Sequence, residues 1–347
     1  MKIHASFCLF MALAAPLLFR PATAAEPDDV AAMTVKAAGV NQGLCLVIGE
    51  TDGKLVSALA KASRLCVQGC DWDAKGIQAG RETIVSAKVA DRASLIWNEA
   101  EGLPYADNLI NLVVSPAWGS HPMEPAEILR VLAPEGYAFI GNDANPTAIN
   151  GLEAKLKQAG AKDIKALSRK GWIQFSKPVN PDFDSWTHLT GSADMSCVNN
   201  DKAVAPFEEV RWIGDPRWGA LYTSYGGVVT AGGRIYYKEN RAALGGTQSF
   251  LIARDAYNGF ELWRLPCGAV WTQNYIWSDT SLTCDERKVF IVEDTVLVAR
   301  DGLTGKKLHD YALGFVADTV TSIGPSLVAS SKKGTAAAIL KDSGKKK

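Results

Sequence analysis

Metal-ligand chemistry is the first thing this sequence is short of. Its 347 residues include 4 histidines and 7 cysteines, with no Cys-x-x-Cys pair, and His4, His121, His188 and His309 stand far apart. Zinc sites need closely spaced ligands, so no metal site is expected. Net charge is missing too: 37 Lys plus Arg balance 37 Asp plus Glu. That balance excludes a general binder of nucleic acid or anionic lipid. Nor is there a long hydrophobic run. The apolar stretch at residues 5–19 is broken by Ser6 and Pro16 and falls short of the roughly 20 residues that span a bilayer.

That stretch has another use. Lys2 precedes it, and Ala22-Thr23-Ala24, with Ala25, offers the small residues a signal peptidase needs. Residues 1–25 are read as a secretory signal peptide, with an uncleaved anchor as the rival, and Arg20 interrupting the run. The protein is then periplasmic or secreted, with no membrane span after cleavage. Six cysteines remain: Cys45, Cys66, Cys70, Cys197, Cys267 and Cys284. Export permits disulfides among them. Yet Cys45, Cys66 and Cys70 fall in or beside apolar strands, where a free thiol behaves as a small hydrophobe.

The stretch that organises the chain is residues 44–55. Leu44 to Ile48 is an unbroken apolar run, Gly49 and Gly53 bracket a turn, and Leu55, Val56, Leu59 and Ala60 follow at helical spacing. Strand, glycine turn and helix open a nucleotide-binding α/β unit, in which backbone N–H groups face a ligand. The alternation then repeats. Strands are expected at residues 65–69, 94–97, 109–115 and 137–140, with a closing pair at 164–167 and 172–175. Helices are expected in part of 25–40 and at 53–62, 74–87, 125–132 and 149–159. This pattern implies a parallel sheet.

Several motifs now coincide in order. They are the Val47-to-Leu55 glycine loop, Asp71 at the close of strand two, the segment from Glu99 to Asn108, and the segment from Glu127 to Gly136. Residues 43–177 resemble a class I S-adenosylmethionine-dependent methyltransferase domain. The resemblance implies a Rossmann-like seven-stranded sheet and S-adenosyl-L-methionine in a crevice at the strand carboxyl ends. It assigns cofactor contacts to Gly49, Glu50, Gly53, Asp71, Trp72, Glu99 and Ala100. Gly49 and Gly53 would cradle the amino-acid end, Asp71 the ribose hydroxyls and Glu99 the adenine side. A carboxylate suits two vicinal hydroxyls because it is a double acceptor. Two departures stand out: Thr51 replaces the loop's middle glycine, and Val47 replaces the acidic residue usual on strand one. A β-branched residue is strained where positive φ is required. No catalytic base is evident, although Trp118 and His121 follow strand four.

Pro178, Asn180 and Pro181 mark a linker, after which short alternating strands take over at residues 228–230, 234–238, 250–254, 260–264, 289–292, 296–300 and 307–311. Leu251-Ile252-Ala253-Arg254-Asp255, then Gly259, parallels Leu297-Val298-Ala299-Arg300-Asp301, then Gly305, at a spacing of 46 residues. A period near 40–50 fits a propeller blade. These units resemble pyrroloquinoline-quinone-type (quinoprotein-like) β-propeller repeats, with Arg211-Trp212 and Pro216-Arg217-Trp218-Gly219 leading into the first. Only two to three blades fit, against roughly 4–8 in a closed ring. The quinone itself is not expected. Asp255 and Asp301 read as turn residues, and Trp186, Trp212, Trp218, Trp263, Trp271 and Trp277 as packing residues. Trp186-Thr187-His188 is a site only if partners join it.

The organisation expected is therefore a signal peptide (1–25), an α/β Rossmann-like methyltransferase sheet (28–177), an all-β partial propeller (178–325) and a basic disordered tail (326–347). Two functions stay open. One is an exported scaffold or binding protein with a degenerate methyltransferase-like domain, meeting an unknown protein or small molecule. The other is an active methyltransferase of unknown acceptor.

Overall fold

The computed structural model describes residues 26–121, 123–204, 210–214, 227–243, 246–268, 280–293 and 296–345. The expected signal peptide, the Pro216-to-Gly219 motif, Trp271 and Trp277 lie outside the described residues.

The front half is one seven-stranded sheet, ordered β3-β2-β1-β4-β5-β7-β6. Its strands are β1 (Gln42–Ile48), β2 (Arg64–Asp71), β3 (Ala93–Trp97), β4 (Ile110–Ser115), β5 (Leu132–Gly141), β6 (Lys162–Ala166) and β7 (Trp172–Ser176). Strands β1 to β5 pair in parallel, and β7 runs antiparallel to both β5 and β6. The central strands are apolar on both faces because both faces are covered. Cys45 and Val47 of β1 point into a core with α1 (Pro27–Ala38), α2 (Lys54–Ala62) and α3 (Ala74–Ser86). Leu46 and Ile48 point into a core with α4 (Pro125–Val131) and α5 (Leu152–Gln158). The helix expected at 149–159 is split. A short 3-10 helix (Pro146–Ile149) precedes α5, and Gly151 at φ 77° separates them.

The rear half holds three antiparallel sheets. The first is a meander of β8 (Val229–Ala231), β9 (Arg234–Ala243), β10 (Gly246–Asp255) and β11 (Glu261–Pro266). The second repeats that order with β12 (Leu282–Cys284), β13 (Lys288–Glu293), β14 (Val296–Asp301) and β15 (Lys307–Tyr311). The third has β16 (Thr319–Ile323), β17 (Ser326–Ser330) and β18 (Ala336–Leu340). This third sheet corrects the expectation of a disordered tail from residue 326. The lysines that suggested solvation sit in turns: Lys332 and Lys333 cap the β17–β18 hairpin, while Leu327, Ala329 and Ile339 are buried. No closed ring of sheets is present among the described residues. No helix of the described residues is long and apolar enough to cross a membrane.

One segment threads all three rear sheets. The Trp186 carbonyl takes the Thr230 N–H and the Trp186 N–H donates to the Thr230 hydroxyl, the Thr187 carbonyl takes the Cys284 N–H at 3.1 Å, and His188 Nε2 takes the Ser322 N–H at 2.9 Å. Trp186-Thr187-His188 thus ties β8, β12 and β16 together, and its role is structural. The halves meet where the turn after β10 reaches the amino ends of β1 and β4. Asn111 donates to Asp255 (2.7 Å) and accepts from Asn258 (2.8 Å) and from the Leu44 N–H (2.8 Å).

All six described cysteines are free, and Cys45, Cys70 and Cys284 are buried. Burial pushes the Cys70 thiol up to about 12, so these thiols pack as hydrophobes.

Candidate functional site

The crevice at the carboxyl ends of β1, β2 and β4 is built from the glycine loop outward. Gly49 adopts φ 81° and Gly53 φ 74°, the left-handed region that favours glycine. Gly53 caps α2 from that conformation. Thr51 carries no such strain, because it lies outside the left-handed region. Instead α3 makes room for it: a Cβ on Gly76 would lie 2.5 Å from Thr51 Cβ. The strain expected of a threonine in this loop is therefore absent.

Glu50 does not face the crevice as a free carboxylate. Its side chain turns back and accepts the N–H groups of Leu55 and Val56, the latter at 3.0 Å. It is thus the side-chain cap of α2, filling the orphan donors of that helix start. Burial pushes its carboxyl up to about 8, against the pull of those two N–H donors.

Asp71 ends β2, as the resemblance implies, but it is buried and engaged. Its Oδ1 accepts the Asp73 N–H at 2.7 Å, and its Oδ2 lies 3.3 Å from His121 Nε2. The His121 ring also stacks on Trp72, with centroids 5.0 Å apart. It lies so close to Gly49 that a Cβ there would be 3.1 Å away. One imidazole, carried by the loop after β4, therefore touches three of the seven residues assigned to the cofactor. Trp72 Nε1 donates to the Ala100 carbonyl at 2.7 Å, joining a fourth, although through structure rather than toward open space. Glu99 is exposed, and the neighbouring Asn98 is the buried group, bonded to the Ala100 N–H and the Gly102 carbonyl.

Beside this latch lies a cavity of about 520 Å³, at the ends of β1, β4 and β5, lined by Glu50, Asp52, Trp118, Asn142, Asp143 and Ala148 among others. Trp118 lines it; Asp71 and Trp72 do not. Its two charged aspartates are paired, Asp52 with Lys54 at 2.7 Å and Asp143 with Arg169 at 2.8 Å. Asp143 also accepts from Trp172 Nε1 at 3.0 Å, and Asn142 Nδ2 holds the Trp118 carbonyl at 2.9 Å. Sequence reasoning passed over Asn142 and Asp143. The signal was there: a polar pair directly follows an apolar strand, where open α/β sheets bind ligands.

No group of described His, Cys, Asp and Glu residues has the geometry to hold a metal ion. His121 covers part of the crevice that the resemblance gives to S-adenosylmethionine. Its ribose-side carboxylate is buried beneath His121, and the surface of Gly49 is covered by the same ring.

No protein-family model matches the chain, and no curated protein matches it. Solved structures do resemble it over the front half. A putative S-adenosyl-L-methionine-dependent methyltransferase from Methanococcus maripaludis is 22% identical, with TM-score 0.40, over 45% of this chain and 86% of that one. The cyclase SpnF is 16% identical, with TM-score 0.39, over 44% and 82%. A SAM-dependent methyltransferase from Aquifex aeolicus is 18% identical, with TM-score 0.36, over 43% and 87%. These likenesses bear on the shape of the front sheet and on nothing beyond it.

Proposed function

We propose that this chain is an exported binding or scaffold protein whose methyltransferase-like front sheet no longer transfers methyl groups. The observation that carries the reading is His121 lying across Asp71, Trp72 and Gly49. A site that is to bind a nucleoside must leave its ribose acceptor and its glycine backbone bare; here one side chain of the same molecule takes both. The open part of the crevice is the 520 Å³ cavity next to it. Its aspartates are paired with Lys54 and Arg169, and the Glu50 carboxyl is taken up by the Leu55 and Val56 N–H groups. It suits a small, uncharged, polar molecule. The rear sheets are read as propeller-type blades, each a meander closed by an Asp- or Leu-headed turn. Residues 1–25 direct the chain out of the cytoplasm.

Titration calorimetry with S-adenosylmethionine on the full chain tests this. No heat at millimolar ligand is the expected result. Micromolar binding that disappears in Asp71→Ala would overturn the reading in favour of methyl transfer. That second reading draws on Asp71 standing at the tip of β2, and it requires His121 to swing aside. His121→Gly then separates the two ideas: it should create weak binding if the latch alone blocks the site.

A further inference from the structure

A cavity of about 510 Å³ lies where the two halves of the chain meet. It sits at the amino ends of the parallel strands, the far end of the sheet from the front crevice. Its front wall is Gln42 of β1, Arg64 of β2 and the Pro134-to-Tyr137 part of β5. Its rear wall is the Gly232-Gly233-Arg234 turn into β9, with Tyr257 and Trp263. The volume falls within the roughly 300–1,000 Å³ of small-molecule sites, which favour such junctions. A neighbouring cavity of about 330 Å³ shares Glu135, Arg234 and Tyr257 with it.

The rear wall is built by close approach. Gly232 and Gly233 adopt φ 55° and 67°. A Cβ on Gly233 would stand 2.9 Å from the Tyr257 ring, and one on Gly232 would stand 2.4 Å from Arg234 Nη2. The Arg234 guanidinium donates through Nε to the Tyr236 hydroxyl at 2.9 Å and through Nη2 to the Glu286 carbonyl. Among the described residues its Nη1 meets no acceptor, and the Tyr257 hydroxyl makes no hydrogen bond. Burial, then the nearby Asp255 and Glu135 charges, push that phenol up to about 12, so it remains a donor at neutral pH.

The front wall answers with Glu135. It is exposed and stands at φ 63°, in the region that favours glycine. Its carboxylate makes no hydrogen bond or ion pair among the described residues. A side chain held in that backbone region and left unpaired marks a candidate functional position. The other carboxylate of the wall, Asp255, is taken up by Asn111 Nδ2 and by the N–H groups of Tyr257 and Asn258.

We propose that this junction cavity binds a free amino acid with a large apolar side chain. Arg234 and the Tyr257 hydroxyl meet the α-carboxylate in charge-assisted hydrogen bonds. Glu135 meets the α-ammonium. Trp263, Leu262 and the Tyr137 ring, all on the cavity wall, receive the side chain. A ligand with a carboxylate alone leaves Glu135 unanswered, and one with an amine alone leaves Arg234 so; a zwitterion answers both. The proposal is independent of how the front crevice is read.

Titration calorimetry on the full chain with L-phenylalanine, N-acetyl-L-phenylalanine and L-phenylalanine amide tests this. L-phenylalanine should bind, and blocking either charged end should weaken binding at least tenfold. Glu135→Gln keeps the size and removes the charge; it should weaken binding at least tenfold with the thermal melt unchanged. Glu135→Gly should do the same without lowering the melt, because glycine adopts this backbone freely. Asp71→Ala, in the front crevice, should leave binding as it is. No heat with millimolar L-phenylalanine overturns the proposal. So does equal affinity for either blocked analogue, or unchanged affinity in Glu135→Gln. Heat that Asp71→Ala abolishes also overturns it, by moving the ligand to the front crevice.

Discussion

The front crevice and the rear turns use one device for opposite ends. Each sets a positive-φ glycine where a strand gives way to a turn, and each lays a ring on that glycine. In the rear half the rings are Trp212, Trp263 and His309, and the contact joins one repeat to the next. Trp212 and Trp263 also donate to equivalent carbonyls, those of Ala256 and Gly302, at 3.1 and 3.0 Å. In the front half the ring is His121 on Gly49, and what it covers is the place a ligand would approach. The comparison teaches that a glycine turn reports backbone shape, and that its use depends on which side chain arrives from elsewhere.

The strongest way to break the comparison is at Trp263. It is buried between two sheets, and truncating such a residue to alanine should cost about 3–5 kcal/mol. Trp263→Ala should expose the rear half to limited proteolysis while fragments spanning residues 42–176 persist; uniform digestion of both halves would count against it. Next is the clasp at Asn111. Asn111→Ala removes the Asn111 partner of Asp255 Oδ2 and of the Leu44 N–H, and should destabilise the chain by about 1–3 kcal/mol. In calorimetric scanning it should split one transition into two.

A pH effect sharpens the contrast. Burial, with help from the Lys341 charge, lowers the His188 imidazole below its ordinary 6.5. The unfolded state then binds the proton more readily. Stability carried by this group is present above pH 6.5 and is lost as pH falls below it. His188→Gln should flatten the urea midpoint across that range. Glu50 behaves in the opposite sense. Its folded value near 8 lies above the unfolded 4.5, so stability falls as pH rises from about 4.5 to about 8. Glu50→Gln should remove that slope; an unchanged slope would place the titration elsewhere. The smallest effect belongs to the latch. His121→Ala should shift the thermal melt least of these changes, since the His121 ring is part-exposed and Asp71 keeps the Asp73 N–H.

Much of the fold was legible because its signals are local. The apolar run of β1, the alternation that follows it and the two Asp-x-x-x-Gly turns each rest on residues a few positions apart. The third turn, in which the Gly344 N–H bonds to the Leu340 carbonyl, was not legible. Its head is Leu340 and its ring is His309, where the other units have aspartate and tryptophan, so only the backbone bonds expose the kinship. The strands at 326–340 were hidden behind lysines that belong to their turns. Glu50 and Glu99 were placed by their residue type. One serves a helix end and the other faces solvent, and neither outcome can be read from a carboxylate in a string.

By itself the sequence determined the order of strands and helices in the front half, the change from α/β to all-β after residue 177, and the repeated turn. Those follow from periodicity and backbone preference, which act over a few residues. Only the tertiary structure decided that His121 lies over Asp71 and that Trp186-Thr187-His188 pins three sheets. Those depend on which groups exclude water from one another across many tens of residues, and burial of that kind leaves no mark on the neighbouring letters.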